Sequence, residues 1–395
     1  MKSIINIENK DKDTMEFQHG GDIYRNVIEY DFSTNINPLG MPKGCEEAIR
    51  KAIPHIGEYP DPQGETLCQA IAHAEGLKTR QVLLGNGAAE LIYGLCYGVR
   101  PKKAVLIAPC FSEYEKAVTA AGGICEFVAL DEKDGFRLTK NRDRFTKEEN
   151  QLAEGMDNLF VPAGLAIEDA DEWTEAGHAL LSAIKEDTDL VFLCNPNNPT
   201  GATIGKELLY RVAEKCEAVD AILCVDECFL PFMEAERTYT MKGELERFPH
   251  LLVLRAFTKI YGMPGLRLGY ALSANQELLD RIKTCLPPWN TSVIAQAVGT
   301  EALKDTVFME QTGKLIRREK EYLIRELQSG LAEEIYASEA NFLFFRSRPD
   351  LKERLLEQKI LIRDCSNYRN LSQGYFRIAV RGRKENEELI RRWRS

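Results

Sequence analysis

The chain has 395 residues, of which 44% are hydrophobic and 28% charged, with a formal net charge of −10 at pH 7. That length allows two or three domains with a sizeable core. The acidic balance argues against nucleic acid or an anionic membrane as a general partner. No apolar run reaches the roughly 18 residues of a membrane span. The N-terminal stretch MKSIINIENKDKDTMEFQHGG lacks a signal-peptide core, so a cytoplasmic protein is expected. The eleven cysteines form no CxxC pair, and Cys224 and Cys228 lack a second ligand pair. Reduced, buried thiols are therefore expected rather than a metal site or a disulfide framework.

Short apolar runs predict buried parallel strands at Val82–Leu84, Ala104–Ile107, Leu190–Leu193, Ala221–Val225 and Leu251–Leu254. Helical spacing separates them, as in Ala88–Tyr97 and Lys206–Ala218, and this alternation predicts an α/β fold with a mostly parallel sheet. An acidic, weakly periodic stretch at about 140–178 reads as a surface insertion, or equally as a lid. From about residue 300 the pattern changes. A charged helix over Lys314–Gln328 leads to apolar runs at Phe342–Phe345, Ile360–Ile362 and Phe376–Val380, then to a final charged helix. These predict a smaller α+β domain.

Ligands of such sheets sit at the carboxyl ends of the strands, and the chemically suggestive segments fall there. After the first strand comes Gly85-Asn86-Gly87-Ala88-Ala89-Glu90, running into a helix whose N-terminus favours an anion. Alone, Gly-Asn-Gly is also an ordinary turn. Asn195-Pro196-Asn197-Asn198-Pro199-Thr200-Gly201 follows the Leu190 strand and can fix the Asn198 amide. Asp226-Glu227 ends the next strand, where a carboxylate suits a ring N–H⁺. Thr258-Lys259 ends the one after, with Gly265-Leu266-Arg267-Leu268-Gly269-Tyr270 beyond it.

Taken together and in this order, these motifs resemble those of the class II aminotransferases. Within that family the chain is most similar to the threonine-phosphate decarboxylases of cobalamin biosynthesis. That narrower likeness rests on His19-Gly20-Gly21, Asp31-Phe32-Ser33-Thr34-Asn35-Ile36-Asn37-Pro38-Leu39-Gly40-Met41-Pro42, Ile362-Arg363-Asp364-Cys365-Ser366-Asn367-Tyr368 and Tyr375-Phe376-Arg377-Ile378-Ala379-Val380-Arg381. The resemblance implies the fold type I of pyridoxal 5'-phosphate (PLP) enzymes, with a seven-stranded, mostly parallel sheet between helices. It also implies an N-terminal arm (1–45), a large PLP-binding domain (46–290) and a small C-terminal domain (291–395).

Lys259 would form the Schiff base with PLP and move protons at Cα. Asp226 would pair with the ring N–H⁺, Asn198 would hydrogen-bond the 3-oxygen and Phe111 would stack on the ring. Gly87, Ala88, Thr258 and Arg267 would hold the cofactor phosphate. Tyr59 would reach the phosphate of a neighbouring subunit in a homodimer. His19, Gly20, Asn35, Asn198, Arg363 and Arg377 would bind a substrate with two anionic groups, with Arg381 behind them. Phe229 stands where many aminotransferases carry a tyrosine.

The implied reaction is decarboxylation of O-phospho-L-threonine, or of the serine analogue, to an amino-alcohol phosphate for the cobamide nucleotide loop. A histidinol-phosphate or aromatic aminotransferase would share every cofactor residue. A non-catalytic PLP-fold regulator fits less well with an intact Lys259, Asp226 and Arg267, and no GxGxxG follows the first strand to suggest a Rossmann nucleotide binder.

Overall fold

The computed structural model describes residues 19–140 and 173–395. Its main sheet has seven strands: β2 (Val82–Gly85), β3 (Lys103–Ala108), β4 (Ile124–Ala129), β5 (Leu190–Cys194), β6 (Ile222–Asp226), β7 (Leu251–Ala256) and β8 (Gly269–Leu272). Their spatial order is β2-β8-β7-β6-β5-β3-β4. The five strands from β7 across to β4 pair in parallel, and β8 runs antiparallel to both β2 and β7.

The apolar runs are continuous because helices cover both faces of the sheet. Alternate residues divide between two cores, as the two-residue period of a strand requires. Val105, Val191, Leu223 and Val253 face one core, while Leu106, Phe192, Cys224 and Leu254 face the other. The sequence reading missed two strands. Edge strand β4, Ile-Cys-Glu-Phe-Val-Ala, mixes polar and exposed residues and so carries no apolar run. The reversed β8 was concealed inside a glycine-rich motif.

A second sheet, β9 (Glu334–Tyr336), β10 (Phe342–Arg346), β12 (Arg363–Asp364) and β13 (Tyr375–Ala379), is antiparallel throughout and ordered β12-β13-β10-β9. Phe342, Phe345, Phe376, Ile378 and Trp393 build its own core. Two residues near the N-terminus, β1 (Tyr30–Asp31), lie parallel to β11 (Ile360–Leu361). Phe32 enters this second core, and its carbonyl accepts the Ala379 N–H at 2.8 Å. The N-terminal segment thus belongs structurally to the small domain.

Helix Val293–Ala302 packs into the large domain, with Ala295, Val298 and Ala302 in its core. Of the expected insertion, residues 141–172 lie outside the described residues. Its flanks, Thr139 and Trp173, pair as an isolated antiparallel bridge, and Thr174 caps helix Glu175–Ala183 through its Oγ1. All eleven cysteines are free, and eight of them are buried. Among the described residues no helix is long and apolar enough to cross a membrane, and no group of three or more metal-ligating side chains is placed to hold an ion.

Candidate active site

The sheet order reverses between β3 and β5, since the chain winds outward to β4 on one side and through β6 and β7 on the other. Such a switch point leaves a crevice at the carboxyl ends of the strands. A cavity of about 540 Å³ occupies it. Lys259 sits at the cavity floor, in the short helix Phe257–Ile260 that follows β7. Burial, reinforced by the nearby Arg377 guanidinium, lowers its amine to about 8. Asp226, the last residue of β6, is held from two sides. The Tyr114 hydroxyl donates to Oδ2 at 2.7 Å, and the Cys228 N–H donates to Oδ1 at 2.9 Å. Below it, Arg255 of β7 pairs with Glu227 at 2.7 Å and with Glu236 at 2.6 Å, tying together the strand ends that carry Asp226 and Lys259.

The loop after β5 is fastened by Asn197, whose Nδ2 donates to the Pro109 carbonyl at 3.0 Å and to Thr200 Oγ1 at 3.1 Å. It presents Asn198 to the cavity. Asn198 Oδ1 accepts from Arg377 Nη1 and, at 3.4 Å, from the Tyr368 hydroxyl. With the oxygen engaged, the amide N–H₂ is the group Asn198 can offer a ligand. Phe111 forms a wall, its ring 5.8 Å from that of His19 and 5.7 Å from that of Tyr114.

At the far end, helix Ala88–Val99 points its N-terminus at the cavity beside Thr258 and Arg267. Glycine is required around this corner. Gly87 has φ 79°, and a Cβ there would lie 2.8 Å from Arg267 Nη2. A Cβ on Gly269 would lie 2.6 Å from the Ala88 backbone nitrogen. Unpaired helix N–H groups and a guanidinium converge here, the donor set of a phosphate site.

On the small-domain side, Arg363 of β12 and Arg377 of β13 are direct partners in the antiparallel register. Directly opposed residues project to the same face, and both guanidiniums line the cavity. Both residues are buried, at 9% and 6% exposure. Like charges so placed destabilise a sheet unless an anion joins them. Arg377 Nη2 is fixed by the Ser33 carbonyl at 3.0 Å, while its Nε and Asn35 Oδ1 are buried with no hydrogen-bond partner among the described residues. His19 Nε2 donates to Glu113 Oε1 at 3.0 Å. Burial lowers the His19 imidazole, and Lys116 and Arg363 push the same way against Glu113. Gly20 packs so closely that a Cβ would lie 2.4 Å from the Ser33 carbonyl oxygen.

Twelve of the fourteen residues singled out from the sequence therefore line one cavity: His19, Gly20, Asn35, Ala88, Phe111, Asn198, Asp226, Thr258, Lys259, Arg267, Arg363 and Arg377. Gly87 stands immediately behind it. Tyr59 does not join it: the residue is 79% exposed and stacks on Trp289, ring centres 4.5 Å apart. The sequence reading missed Tyr114, Glu113 and Tyr368. Tyr114 reads as one more core position of an amphipathic helix, and only the pairing of β3 with β5, and of β5 with β6, brings it to Asp226. Tyr368 lay within a quoted motif with no role given to it.

A strand-end lysine with a lowered amine, a held carboxylate and a glycine-cleared anion corner in one cavity fit PLP: Lys259 could hold its aldehyde carbon, Asp226 its ring nitrogen and the helix corner its phosphate. Fold and site together define a fold type I PLP enzyme. The family model for aminotransferase class I and II matches residues 27–153 and 160–392. The threonine-phosphate decarboxylase of Salmonella typhimurium is 33% identical over 363 residues, spanning 91% of this chain and 89% of that one. Histidinol-phosphate aminotransferase 1 of Cupriavidus pinatubonensis is 30% identical, spanning 85% and 80%. The crystal structure of the histidinol-phosphate aminotransferase from Clostridium acetobutylicum superposes with a TM-score of 0.77 at 30% identity, covering 92% of this chain and 98% of that one. The chain belongs to the aminotransferase class I and II family, and its cofactor is PLP.

Proposed function

We propose that the chain decarboxylates O-phospho-L-threonine, with O-phospho-L-serine as a close analogue, to the amino-alcohol phosphate used in the cobamide nucleotide loop. The observation that carries this reading is the buried, same-face pair Arg363 and Arg377 beside Lys259. Two guanidiniums on one face of the cavity suit a ligand with two anionic groups, and a phosphorylated α-amino acid brings a carboxylate and a phosphate. Histidinol phosphate brings only one such group.

When bound, PLP serves as the electron sink for whichever Cα bond stands perpendicular to its ring. The residues of this chain choose that bond by where they anchor the substrate. Arg377, whose charge acts on the Lys259 amine, takes the carboxylate near Cα. Arg363, whose charge acts on His19, takes the more distant phosphate together with His19, Gly20 and Asn35. Asp226 would keep the ring nitrogen protonated, Asn198 would donate to the ring 3-oxygen and Phe111 would stack on the ring. Lys259, lowered to about 8, is partly neutral near neutral pH and can return a proton to Cα once CO₂ has left. Phe229 packs edge-on against Phe342 at 5.1 Å and keeps that wall apolar.

In this reading the segment 1–45, of which residues 1–18 lie outside the described residues, contributes to the site and the small domain, 46–290 form the large domain and 291–395 the small one. The active form is a homodimer in the cytoplasm, in which Tyr59 reaches the neighbouring cofactor phosphate. Serine phosphate differs by one methyl, which an apolar pocket discriminates by only about 1–3 kcal/mol.

The test is product analysis of the PLP-loaded enzyme given O-phospho-L-threonine without a keto acid. Catalytic release of CO₂ and the amine phosphate is expected. No CO₂, with amino transfer from histidinol phosphate instead, would make the protein an aminotransferase with the same cofactor site.

A further inference from the structure

Between β12 and β13 the chain makes a turn to which the reaction above assigns no part. The Tyr368 N–H donates to the Cys365 carbonyl at 3.0 Å, and the Leu371 N–H to the Tyr368 carbonyl at 3.1 Å. The turn belongs to the small domain by sequence but is anchored on the large one. Asn370 Nδ2 donates to the Leu130 carbonyl at 2.8 Å, and Arg369 pairs with Glu115 at 2.6 Å. Two of its side chains meet Arg363. Asn367 Oδ1 accepts from Arg363 Nη2 at 2.7 Å, and the guanidinium carbon lies 5.0 Å from the centre of the Tyr368 ring. The Tyr368 hydroxyl, in turn, is 3.4 Å from Asn198 Oδ1, the acceptor shared with Arg377.

This arrangement answers a specific difficulty. Arg363 must be held against the repulsion of Arg377, its partner in the strand register. An aromatic face attracts a guanidinium while leaving its charge intact, and an amide oxygen accepts a hydrogen bond without adding a negative charge. Because the turn is fixed to the large domain, the ring also sets Arg363 relative to Asn198 and the strand ends that carry Asp226 and Lys259.

We propose that Tyr368 is a positioning residue that fixes Arg363 as the phosphate site and so makes the enzyme prefer a phosphorylated amino acid to its unphosphorylated counterpart. This rests on the substrate reading given above. The PLP-loaded protein is titrated with O-phospho-L-threonine and, separately, with L-threonine, following the visible cofactor band, which reports binding whether or not CO₂ is released. The wild type should bind the phosphorylated ligand more than about tenfold more tightly. Tyr368→Leu should cut that preference roughly tenfold, the scale of a desolvated cation–π contact, with L-threonine binding unchanged. In turnover the loss should fall on KM, with kcat within about twofold. Tyr368→Phe keeps the ring and should retain the preference within about threefold.

If Tyr368→Leu does not fold by circular dichroism, Asn367→Ala should lower the same preference. The proposal is overturned if the wild type does not distinguish the two ligands. It is equally overturned if Tyr368→Phe loses the preference as fully as Tyr368→Leu, or if the variant that folds weakens both ligands alike or neither. A protein that releases no CO₂ yet shows the preference, and loses it in Tyr368→Leu, would discard decarboxylation and leave the role of Tyr368 standing.

Discussion

At the scale of single residues, the site works by keeping charged groups where they are costly until a ligand arrives. Lys259 shows this most directly. Burial and Arg377 lower its amine from the ordinary lysine value of 10.5 to about 8. The folded chain therefore binds fewer protons than the unfolded one between those two values, and its stability rises with pH across that window. The penalty is fully present below about pH 8. Lys259→Met should accordingly stabilise the PLP-free protein at pH 7 by up to about 3 kcal/mol, a gain that fades toward pH 10.5, while abolishing turnover. Urea unfolding at several pH values checks both the sign and the window. Tyr114 acts in the opposite sense. Tyr114→Phe leaves the buried Asp226 Oδ2 without its donor and should cost about 1–3 kcal/mol in the PLP-free protein. An unchanged unfolding midpoint would mean that Asp226 does not depend on that hydroxyl.

At the scale of elements, the phosphate corner depends on a close approach between β8 and the start of helix Ala88–Val99. Gly269 faces Gly85 across the antiparallel pairing of β2 and β8. A Cβ at Gly269 would press on the Ala88 nitrogen and the Gly87 backbone, so the helix start must shift. Gly269→Ala should therefore destabilise the fold by about 1–3 kcal/mol and weaken PLP retention on dialysis. Its neighbour Tyr270, whose hydroxyl donates to Glu75 at 2.5 Å, faces away into the buried ion network around Arg255. Here the sequence was only partly legible. The glycine-rich motif marked the corner, but the reversal of β8 that creates the close approach is a pairing between distant segments, and no local pattern records it.

At the scale of the whole molecule, the cavity closes between two domains tied by the N-terminal segment. Asn37 makes the tie: its Nδ2 donates to the Ile260 carbonyl at 2.7 Å and to Thr312 Oγ1 at 2.8 Å on helix Phe308–Gln328. Tyr59 and Trp289 form an exposed stacked pair outside the cavity of their own chain, as a residue serving a neighbouring subunit would. In the proposed homodimer, Tyr59→Ala should weaken PLP binding at the partner's site and Lys259→Ala should inactivate its own. Subunits of the two variants, mixed and allowed to exchange, should regain activity, because each hybrid holds one site with an intact Lys259 and an intact Tyr59. No recovery in a sample shown by sedimentation to contain dimers would place Tyr59 outside the neighbouring site.

The sequence by itself determined the fold class and most of the cavity. Buried parallel strands need uninterrupted apolar runs, and the residues closing those strands (Asn198, Asp226, Thr258 and Lys259) sit at fixed offsets from them, so local pattern locates both. Tertiary structure alone decided which side chains support them. The register that sets Arg363 opposite Arg377, the contact of Tyr114 with Asp226 and the ring of Tyr368 against Arg363 all join segments remote in sequence or on different strands. Such contacts follow from how strands pair and twist, and a one-residue change of register would send Arg363 to the opposite face without altering a single letter of the chain.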